Sequence, residues 1–187
     1  MDNWIYSTGY KNTARYLLGE KGDNPLVCLG INPSTAEPNN LDNTLKRVKC
    51  QAVALGYDSW LMINLYPQRA TNPQDLHKTI DENLHIANLN SIKAALNNYS
   101  QDIWAAWGTL IEIRTYLWDC LADIYSSIGD QASWYTIGKK SQKGHPHHPL
   151  YLKNGLTLER FDIELYLNKY VSKMFYPQGT LIPPSGE

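Results

Sequence analysis

The clearest guide to the architecture is the stretch Leu26-Val27-Cys28-Leu29-Gly30-Ile31-Asn32-Pro33. A short apolar run that ends in a turn-forming pair is typical of a buried strand followed by a loop. Similar apolar runs predict three further strands, at residues 59–63, 103–107 and 134–137. Apolar residues at helical spacing predict helices over residues 41–55, 80–96, 110–124 and 156–171.

Strands that alternate with helices indicate parallel pairing, with helices on both faces of the sheet. We therefore predict a three-layer α/β/α fold with a mainly parallel, four-stranded central sheet, formed by a single domain over residues 1–175. Residues 176–187 are rich in proline and glycine and are predicted to form a tail. In such folds ligands bind at the carboxyl ends of the strands, so the residues directly after each strand are the candidates for chemistry.

The composition is that of a packed globular protein without a global charge. Of 187 residues, 43% are hydrophobic, and 17 Lys and Arg against 18 Asp and Glu give a net charge of -1. A near-neutral chain has no overall field that draws it to nucleic acid, so any polyanion must be held by a local patch. The 13 Tyr and 6 Trp against 2 Phe favour wet pockets and stacking surfaces, because both of the commoner rings carry a polar group.

The sequence favours a cytoplasmic protein without a metal or another cofactor. No stretch is long and apolar enough for a membrane span, and the N-terminus lacks a basic region followed by an apolar run. Cys28, Cys50 and Cys120 lie far apart and form no C-x-x-C pair, which argues against a structural zinc site and for reduced thiols. No obligate protein partner is indicated.

Polar side chains follow three of the predicted strands. Asn32 follows the first, Asn64 the second, and the loop after the fourth contains His145-Pro146-His147-His148. Amides and imidazoles suit hydrogen-bond recognition of a neutral heterocycle, because an asparagine both donates to and accepts from a base edge. We therefore expect this edge of the sheet to recognise a base.

These segments resemble the motifs of the uracil-DNA glycosylase superfamily. Gly30-Ile31-Asn32-Pro33 resembles the first motif of its mismatch-specific branch, and Leu61-Met62-Ile63-Asn64 resembles the second strand. Ala105-Ala106-Trp107-Gly108 is similar to the third strand, and His148-Pro149-Leu150 is similar to the start of the late His-Pro loop. The resemblance implies a uracil-DNA glycosylase-like fold.

The chain also looks like members of a bacterial and phage family that has no assigned activity. The segments that carry this second likeness are Asn32-Pro33-Ser34-Thr35-Ala36, Asn64-Leu65, Arg69-Ala70-Thr71 and His145-Pro146-His147-His148-Pro149-Leu150. This likeness implies nothing about the reaction.

The glycosylase resemblance implies hydrolysis of the N-glycosidic bond of a base that is flipped out of DNA, which leaves an abasic site. By resemblance, Asn32 would hold the attacking water through its side-chain oxygen, His148 would donate a hydrogen bond to the departing base, and Asn64 would read the opposite base edge. Positive charge develops on the sugar and negative charge on the base, so a positioned water and hydrogen-bond donors are what catalysis requires. No lysine is placed as a Schiff-base nucleophile, so we expect a monofunctional enzyme that does not cut the strand.

The sequence departs from the family pattern beside the expected pocket. Ser34 stands where the mismatch-specific branch has glycine, and no aromatic residue follows between residues 34 and 56 to stack on the flipped base. Tyr66 is the candidate to replace that ring. The alternative is a pocket that is open on this side and takes a modified or mismatched pyrimidine, including one larger than uracil, in repair or in defence against foreign DNA.

Double-stranded or single-stranded DNA is the expected partner, held by local basic clusters. The residues predicted to contact its phosphates are Lys46 and Arg47 on the first helix, Arg69 after the second strand, and Lys139, Lys140 and Lys143 in the loop that carries the histidines. Tyr151 and Leu152 are candidates to wedge into the duplex where the base has left.

Several of these residues also have structural interpretations. Asn32 and Asn64 could serve only as turn residues, the histidine run could bind a metal, and the lysines could form a solvated loop. Asp42 is either the N-cap of the first helix or a water-activating carboxylate. Arg69 either contacts phosphate or anchors a loop. The alternative functions are an enzyme acting on free nucleosides or nucleotides and a catalytically silent nucleic-acid-binding module.

Overall fold

The computed structural model describes residues 3–97, 102–128, 132–153 and 155–175. The predicted tail over residues 176–187 lies outside them. The strands are β1 (Trp4–Thr8), β2 (Arg15–Glu20), β3 (Pro25–Gly30), β4 (Ser59–Asn64), β5 (Asp102–Ala105), β6 (Ser133–Ile137) and β7 (Leu158–Arg160). The α-helices are α1 (Asn43–Ala54), α2 (Glu82–Leu96), α3 (Tyr116–Ile128) and α4 (Ile163–Phe175).

The strands form one sheet in the order β1-β2-β4-β3-β5-β6-β7. The pairs β3–β4, β3–β5 and β5–β6 are parallel, whereas β1–β2, β2–β4 and β6–β7 are antiparallel. Every residue of β3 and β4 is buried, which places these two strands in the core. Because they pair in parallel with Gly30 opposite Asn64, the chain leaves both strands at the same edge of the sheet.

The prediction of a four-stranded, mainly parallel sheet of the uracil-DNA glycosylase type is wrong. The described residues form a mixed sheet of seven strands, because the β1–β2 hairpin extends one side and β7 extends the other. The four predicted strands correspond to β3, β4, β5 and β6. Strands buried on both faces are recognisable as apolar runs, whereas β1 and β7 are partly exposed edge strands without such a run.

Each face of the sheet has its own core, because successive strand residues point to opposite faces. Val27 and Leu29 of β3 belong to one core, together with residues of α2, α3 and α4. Leu26 and Cys28 belong to the other, together with residues of α1. The sheet is therefore covered by α1 on one face and by the other three helices on the opposite face.

The start of α1 is defined by a side-chain cap. Asp42 accepts a hydrogen bond from the Leu45 backbone nitrogen at 2.9 Å. The buried face of the helix includes Leu45, Val48 and Ala52, in agreement with the predicted spacing. Among the described helices, none has the combination of length and apolar character that crossing a membrane requires.

Candidate functional site

A cleft of about 520 Å³ opens at the carboxyl edge of the sheet, beside β3. Cavities of about 300–1,000 Å³ are typical of small-molecule sites. The cleft brings together five residues that the sequence predicts as functional: Asn32, Ser34, Asp42, His148 and Tyr151. Its other lining residues include Arg15, Gly30, Met62, Thr71 and Leu150.

The amide of Asn32 is held through its nitrogen. Nδ2 donates to the carbonyl oxygens of Pro33 at 2.9 Å and of Ala70 at 2.8 Å. Both partners are acceptors, so the amide nitrogen must face them and the amide oxygen must point away. The two contacts thus fix the orientation of the Asn32 amide. Oδ1 accepts no hydrogen bond from the described residues and is available to a water or a ligand. Asn32 therefore ties two loops together and also presents an oriented acceptor.

The neutral form of His148 is favoured, and its contacts indicate which ring nitrogen carries the proton. Burial lowers the pKa of His148, and the charge of Asp42 opposes this effect only in part. Nδ1 lies 3.4 Å from the backbone nitrogen of Leu150, where it can only accept. The proton of the neutral ring is therefore on Nε2, which is left to donate.

Gly108 lets the loop that carries His148 approach the end of β5. Its φ is 66°, a conformation that favours glycine, and a Cβ at this position would lie 3.3 Å from the Cβ of His148. The chain continues in a 3-10 helix, Gly108–Ile113, where the sequence predicts the start of an α-helix. The segment after β5 thus contributes to the site through its backbone shape.

Asp42 both caps α1 and lines the cleft. One carboxylate oxygen accepts from Leu45, and the other accepts no hydrogen bond from the described residues. Burial lowers the pKa of both Arg15 and His148, and the Asp42 charge acts against burial in both cases. The carboxylate therefore contributes negative charge to the cleft in addition to its structural role.

Asn64 lies behind the cleft wall. It is fully buried, whereas its neighbours Gly30 and Met62 line the cleft. A Cβ on Gly30 would lie 3.2 Å from Asn64 Oδ1 and only 2.5 Å from Met62 Cε, so a larger residue here would displace the end of the Met62 side chain. Neither Nδ2 nor Oδ1 of Asn64 has a hydrogen-bond partner among the described residues. The turn interpretation therefore does not account for this side chain.

Tyr66 is separated from the cleft. Its ring is buried against Tyr116, with ring centroids 5.1 Å apart. Its hydroxyl lies 2.8 Å from His77 Nδ1 and accepts from the Asp81 backbone nitrogen at 3.1 Å. Tyr66 is therefore not a stacking ring for this cleft, whose aromatic lining residues are His148 and Tyr151.

Arg69 anchors the loop after β3. Its guanidinium donates to the carbonyl oxygens of Ser34 and Ala36 and to Asn12 Oδ1, the last at 3.1 Å. The Glu37 carboxylate lies 3.8 Å from it. The sequence left two roles open for Arg69, contact with phosphate and anchoring of a loop. The contacts described here are those of a loop anchor.

The lysines that the sequence predicts to contact phosphate have different surroundings in the folded protein. Lys46, Lys139 and Lys140 are exposed. Lys143 Nζ lies 2.6 Å from Glu112 Oε2, which pairs this lysine with an acid 31 residues away along the chain. The histidine loop contains no acid in its sequence, but Glu112 partly neutralises it in the folded protein.

The exposed apolar rim of the cleft consists of Leu150 and Tyr151, which are 47% and 81% exposed. Leu152 is only 4% exposed and belongs to the core under α1, and Arg47 donates a hydrogen bond to its carbonyl oxygen. Leu152 would have to leave the core to enter a duplex. The exposed apolar neighbour of Tyr151 is therefore Leu150, which sequence reasoning missed.

A buried chain of hydrogen bonds supports the histidine loop. Trp107 Nε1 donates to the Tyr166 hydroxyl at 3.0 Å, which lies 2.7 Å from His145 Nδ1. His145 Nε2 lies 3.1 Å from Glu112 Oε1. Burial lowers the pKa of His145, although Glu112 acts to raise it. A neutral His145 that accepts from Tyr166 and donates to Glu112 satisfies every donor in this chain.

In the histidine run, both ring nitrogens of His145 have hydrogen-bond partners, Nδ1 with the Tyr166 hydroxyl and Nε2 with Glu112 Oε1. Within the part of the chain that the structure describes, no group of three His, Cys, Asp or Glu side chains is placed to bind a metal ion.

Sequence reasoning also missed Arg15. This residue begins β2, is 2% exposed and lines the cleft. The only signal in the sequence is a cation directly before the apolar segment Tyr16-Leu17-Leu18. Because β2 was not predicted, nothing placed Arg15 near the carboxyl end of β3.

The family model of the DUF1643 proteins, described as proteins of unknown function, matches residues 15–150. The matched span contains every cleft residue named above except Tyr151. No curated protein and no solved structure matches the chain. Because the match covers well over half of its length, the chain belongs to the DUF1643 family.

Proposed function

We propose that the protein is a monofunctional glycosylase that hydrolyses the N-glycosidic bond of a modified or mismatched pyrimidine in DNA. The observation that carries the proposal is the convergence of Asn32, Asp42 and His148 on one cleft. They supply an oriented acceptor, a negative charge and a neutral donor. The proposal rests on these side chains and is independent of the overall sheet topology.

The sugar side of the reaction needs a positioned water. Asn32 Oδ1 accepts from no described residue, and its amide is oriented by two bonds from Nδ2. An amide does not ionise, so Asn32 would orient the water without deprotonating it. A weak nucleophile suffices because the sugar carries positive charge in the transition state, and the Asp42 carboxylate would stabilise that charge.

The departing base needs a hydrogen-bond donor, and the bond to that donor strengthens as the base gains negative charge. His148 has its proton on Nε2 because Nδ1 faces a backbone nitrogen. Burial lowers the pKa of His148 and favours this neutral form. The imidazole would therefore stabilise the departing base with a hydrogen bond, without first having to lose a charge.

The size and lining of the cleft favour a pyrimidine larger than uracil as the substrate. Its volume is about 520 Å³, and the aromatic side chains that line it among the described residues are His148 and Tyr151. Asn64 is fully buried and Met62 lines the cleft, so reading of a base edge by Asn64 would require neighbouring side chains such as Met62 to move. Methionine is flexible and suits such a movement.

The test is to incubate the protein with DNAs that carry different modified or mismatched bases, and to identify released bases and abasic sites by mass spectrometry. We expect release of a modified pyrimidine, with plain uracil cut more slowly than a bulky analogue. Asn32→Ala should lower the rate about a hundredfold or more, because it removes the oriented acceptor. His148→Ala should lower it about a hundredfold to a thousandfold, because it removes the donor to the base.

Matched controls are available in the same loops. Asn40→Ala changes an exposed asparagine after β3, and Gln142→Ala changes an exposed side chain in the loop that carries His148. Neither residue lines the cleft, so both variants should keep the wild-type rate. Failure of the wild-type protein to release any base from any of these DNAs would refute the proposal.

A second candidate, hydrolysis of free nucleosides or nucleotides, is favoured by one contact. The ion pair between Lys143 and Glu112 weakens the phosphate track that a polymer would use. Free nucleosides and 5′-monophosphates belong in the same assay for this reason. Faster release from these small substrates than from DNA would favour the second candidate.

A further inference from the structure

Arg15 is a buried cation that forms no ion pair with a described carboxylate. It is 2% exposed, and its Nε has no hydrogen-bond partner. The hydrogen bond that its guanidinium makes to a described residue runs from Nη1 to the Ala36 carbonyl oxygen, at 3.0 Å. Among the described residues, no carboxylate forms an ion pair with Arg15. A buried charge is costly unless it is paired, so this arrangement calls for an anionic ligand.

Charges of both signs act on Arg15, first that of Arg69 and then that of the Asp42 carboxylate. Arg69 donates to the same Ala36 oxygen, at 3.2 Å, which brings two guanidinium groups together. Burial and then the charge of Arg69 lower the pKa of Arg15 to about 10, so the group stays charged at neutral pH. The nearby carboxylate of Glu37 is exposed for 47% of its side chain and lies 3.8 Å from Arg69. That carboxylate is screened by solvent. The carboxylate that acts on Arg15 is that of Asp42, which lines the same cleft without forming an ion pair with it.

The groups around Arg15 suit a phosphate. The hydroxyl-bearing side chains of Ser34, Thr35 and Thr71 line the same cleft. Ser34 Oγ lies 3.2 Å from Thr71 Oγ1, so these two hydroxyls form a pair at the rim. A tetrahedral phosphate accepts hydrogen bonds from several directions, which a guanidinium and hydroxyls on different segments can supply.

We propose that Arg15 forms the floor of a phosphate-binding subsite in the cleft, with Ser34 and Thr71 at its rim. The phosphate is that of the target nucleotide, and this identification rests on the function proposed above. Because Asn32 lines the same cleft, a phosphate held at Arg15 would position the attached sugar for the water that Asn32 orients.

The direct test uses the wild-type protein and follows the Nε–Hε resonance of Arg15 by NMR. The probes are inorganic phosphate, thymidine 5′-monophosphate and thymidine. We expect both phosphates to shift the Arg15 resonance and thymidine to leave it in place. The monophosphate should bind about tenfold or more tightly than inorganic phosphate, because its sugar and base add contacts in the cleft. Equal affinities would overturn the assignment to a nucleotide, and a resonance that neither phosphate shifts would overturn the subsite itself.

The variant test compares Arg15→Met with Arg160→Met. Both remove one arginine charge by the same substitution, but Arg160 lies on the edge strand β7 and does not line the cleft. Arg15→Met should weaken binding of the monophosphate about tenfold or more, and Arg160→Met should leave it unchanged. Wild-type affinity in Arg15→Met would overturn the proposal. The Ala36 oxygen keeps Arg69 as a donor in this variant.

The double variant Ser34→Ala and Thr71→Val covers the case in which Arg15→Met does not fold. It leaves the buried arginine in place and removes the two rim hydroxyls, so binding of the monophosphate should weaken several-fold. Unchanged binding would overturn the rim assignment.

The two proposals fail in different ways. Phosphate binding at Arg15 without release of a base from any DNA would refute the glycosylase and keep the subsite. Release of bases, combined with monophosphate binding that does not depend on Arg15, would keep the glycosylase and refute the subsite.

Discussion

At the scale of single residues, Asn64 combines complete burial with an amide that no described residue satisfies. A buried polar group without a partner costs about 1–3 kcal/mol. We therefore expect Asn64→Leu, which has a similar size and no polar atoms, to raise the free energy of unfolding by about 1–3 kcal/mol. Urea denaturation measures this directly. Under the proposed function, the same variant should discriminate less between bases, because it removes the amide that would read the base edge.

Asn88→Leu is the matched control for Asn64→Leu. Asn88 is also fully buried, but its Nδ2 donates to the carbonyl oxygens of Asn64 at 2.9 Å and Leu65 at 3.2 Å. Its replacement should lower the free energy of unfolding, because two carbonyl oxygens lose their donor. A loss of stability in both variants would show that Asn64 has a structural partner after all.

The second prediction at this scale concerns the titration of His148. Burial lowers the pKa of His148, so the unfolded chain takes up this proton at a higher pH than the folded protein. The contribution of His148 to the free energy of unfolding is therefore complete above the ordinary histidine pKa of about 6.5. This contribution is lost as the pH falls through the lowered pKa of the folded protein. Base release that uses the neutral ring should decline over the same range.

Asp42→Asn tests the electrostatic part of this prediction. Asparagine also caps helices, so α1 should remain intact while the charge disappears. Because the Asp42 charge acts against burial, its removal should lower the pKa of His148 further. NMR titration of the His148 ring measures the change. An unchanged or raised pKa would contradict the proximity of these two groups.

At the scale of elements, the chain of hydrogen bonds from Trp107 to Glu112 connects α4 to the loop that carries His148. Tyr166 of α4 is the central member, because it accepts from Trp107 and lies 2.7 Å from His145. Tyr166→Phe should lower the free energy of unfolding by about 1–3 kcal/mol, since it leaves the buried Trp107 Nε1–H without a partner. Urea denaturation measures the loss.

Hydrogen exchange separates a local effect from a global one in the same variant. The amides of residues 141–148 should exchange faster in Tyr166→Phe, because the loop loses its connection to α4. Tyr151→Phe serves as the control, since Tyr151 is 81% exposed and the loss of its hydroxyl should change neither stability nor exchange. Equal effects of both substitutions would argue against a special role for the buried chain.

At the scale of the whole molecule, the net charge of -1 means that DNA binding would depend on a few local cations. Each phosphate contact contributes about 0.9 to the slope of log affinity against log salt concentration. Replacement of the exposed pair Lys139 and Lys140 by alanine should therefore reduce the slope by about two. Lys143→Ala should reduce it less, because Glu112 already pairs with this lysine.

Fluorescence anisotropy with a labelled oligonucleotide, repeated over a range of salt concentrations, measures these slopes. The double variant Lys78→Ala and Lys93→Ala removes the same charge from exposed positions that do not line the cleft. It should leave the slope unchanged. An equal reduction in both double variants would mean that the histidine loop is not a specific phosphate track.

The candidate site was partly predictable because some of its signals are local. The Asp42 cap follows from a side chain three residues before the backbone nitrogen that it accepts from. Asn32 and His148 each stand directly beyond a strand or in the loop that follows one, and both line the cleft. Arg15, Leu150 and the Lys143–Glu112 pair were not predictable in this way, because each depends on how distant segments pack.

The amino-acid sequence alone identifies the buried strands β3, β4, β5 and β6 and the amphipathic helices, because burial on both faces or on one stripe leaves a periodic apolar pattern. It does not identify the antiparallel strands β1, β2 and β7, because β1 and β7 are partly exposed edge strands and β2 mixes buried with half-buried residues. The folded structure is needed to show that Arg15 reaches the cleft, that Tyr66 and Leu152 turn away from it, and that Glu112 meets the histidine loop. These placements follow from strand order and from packing between segments far apart in the chain, which no local pattern encodes.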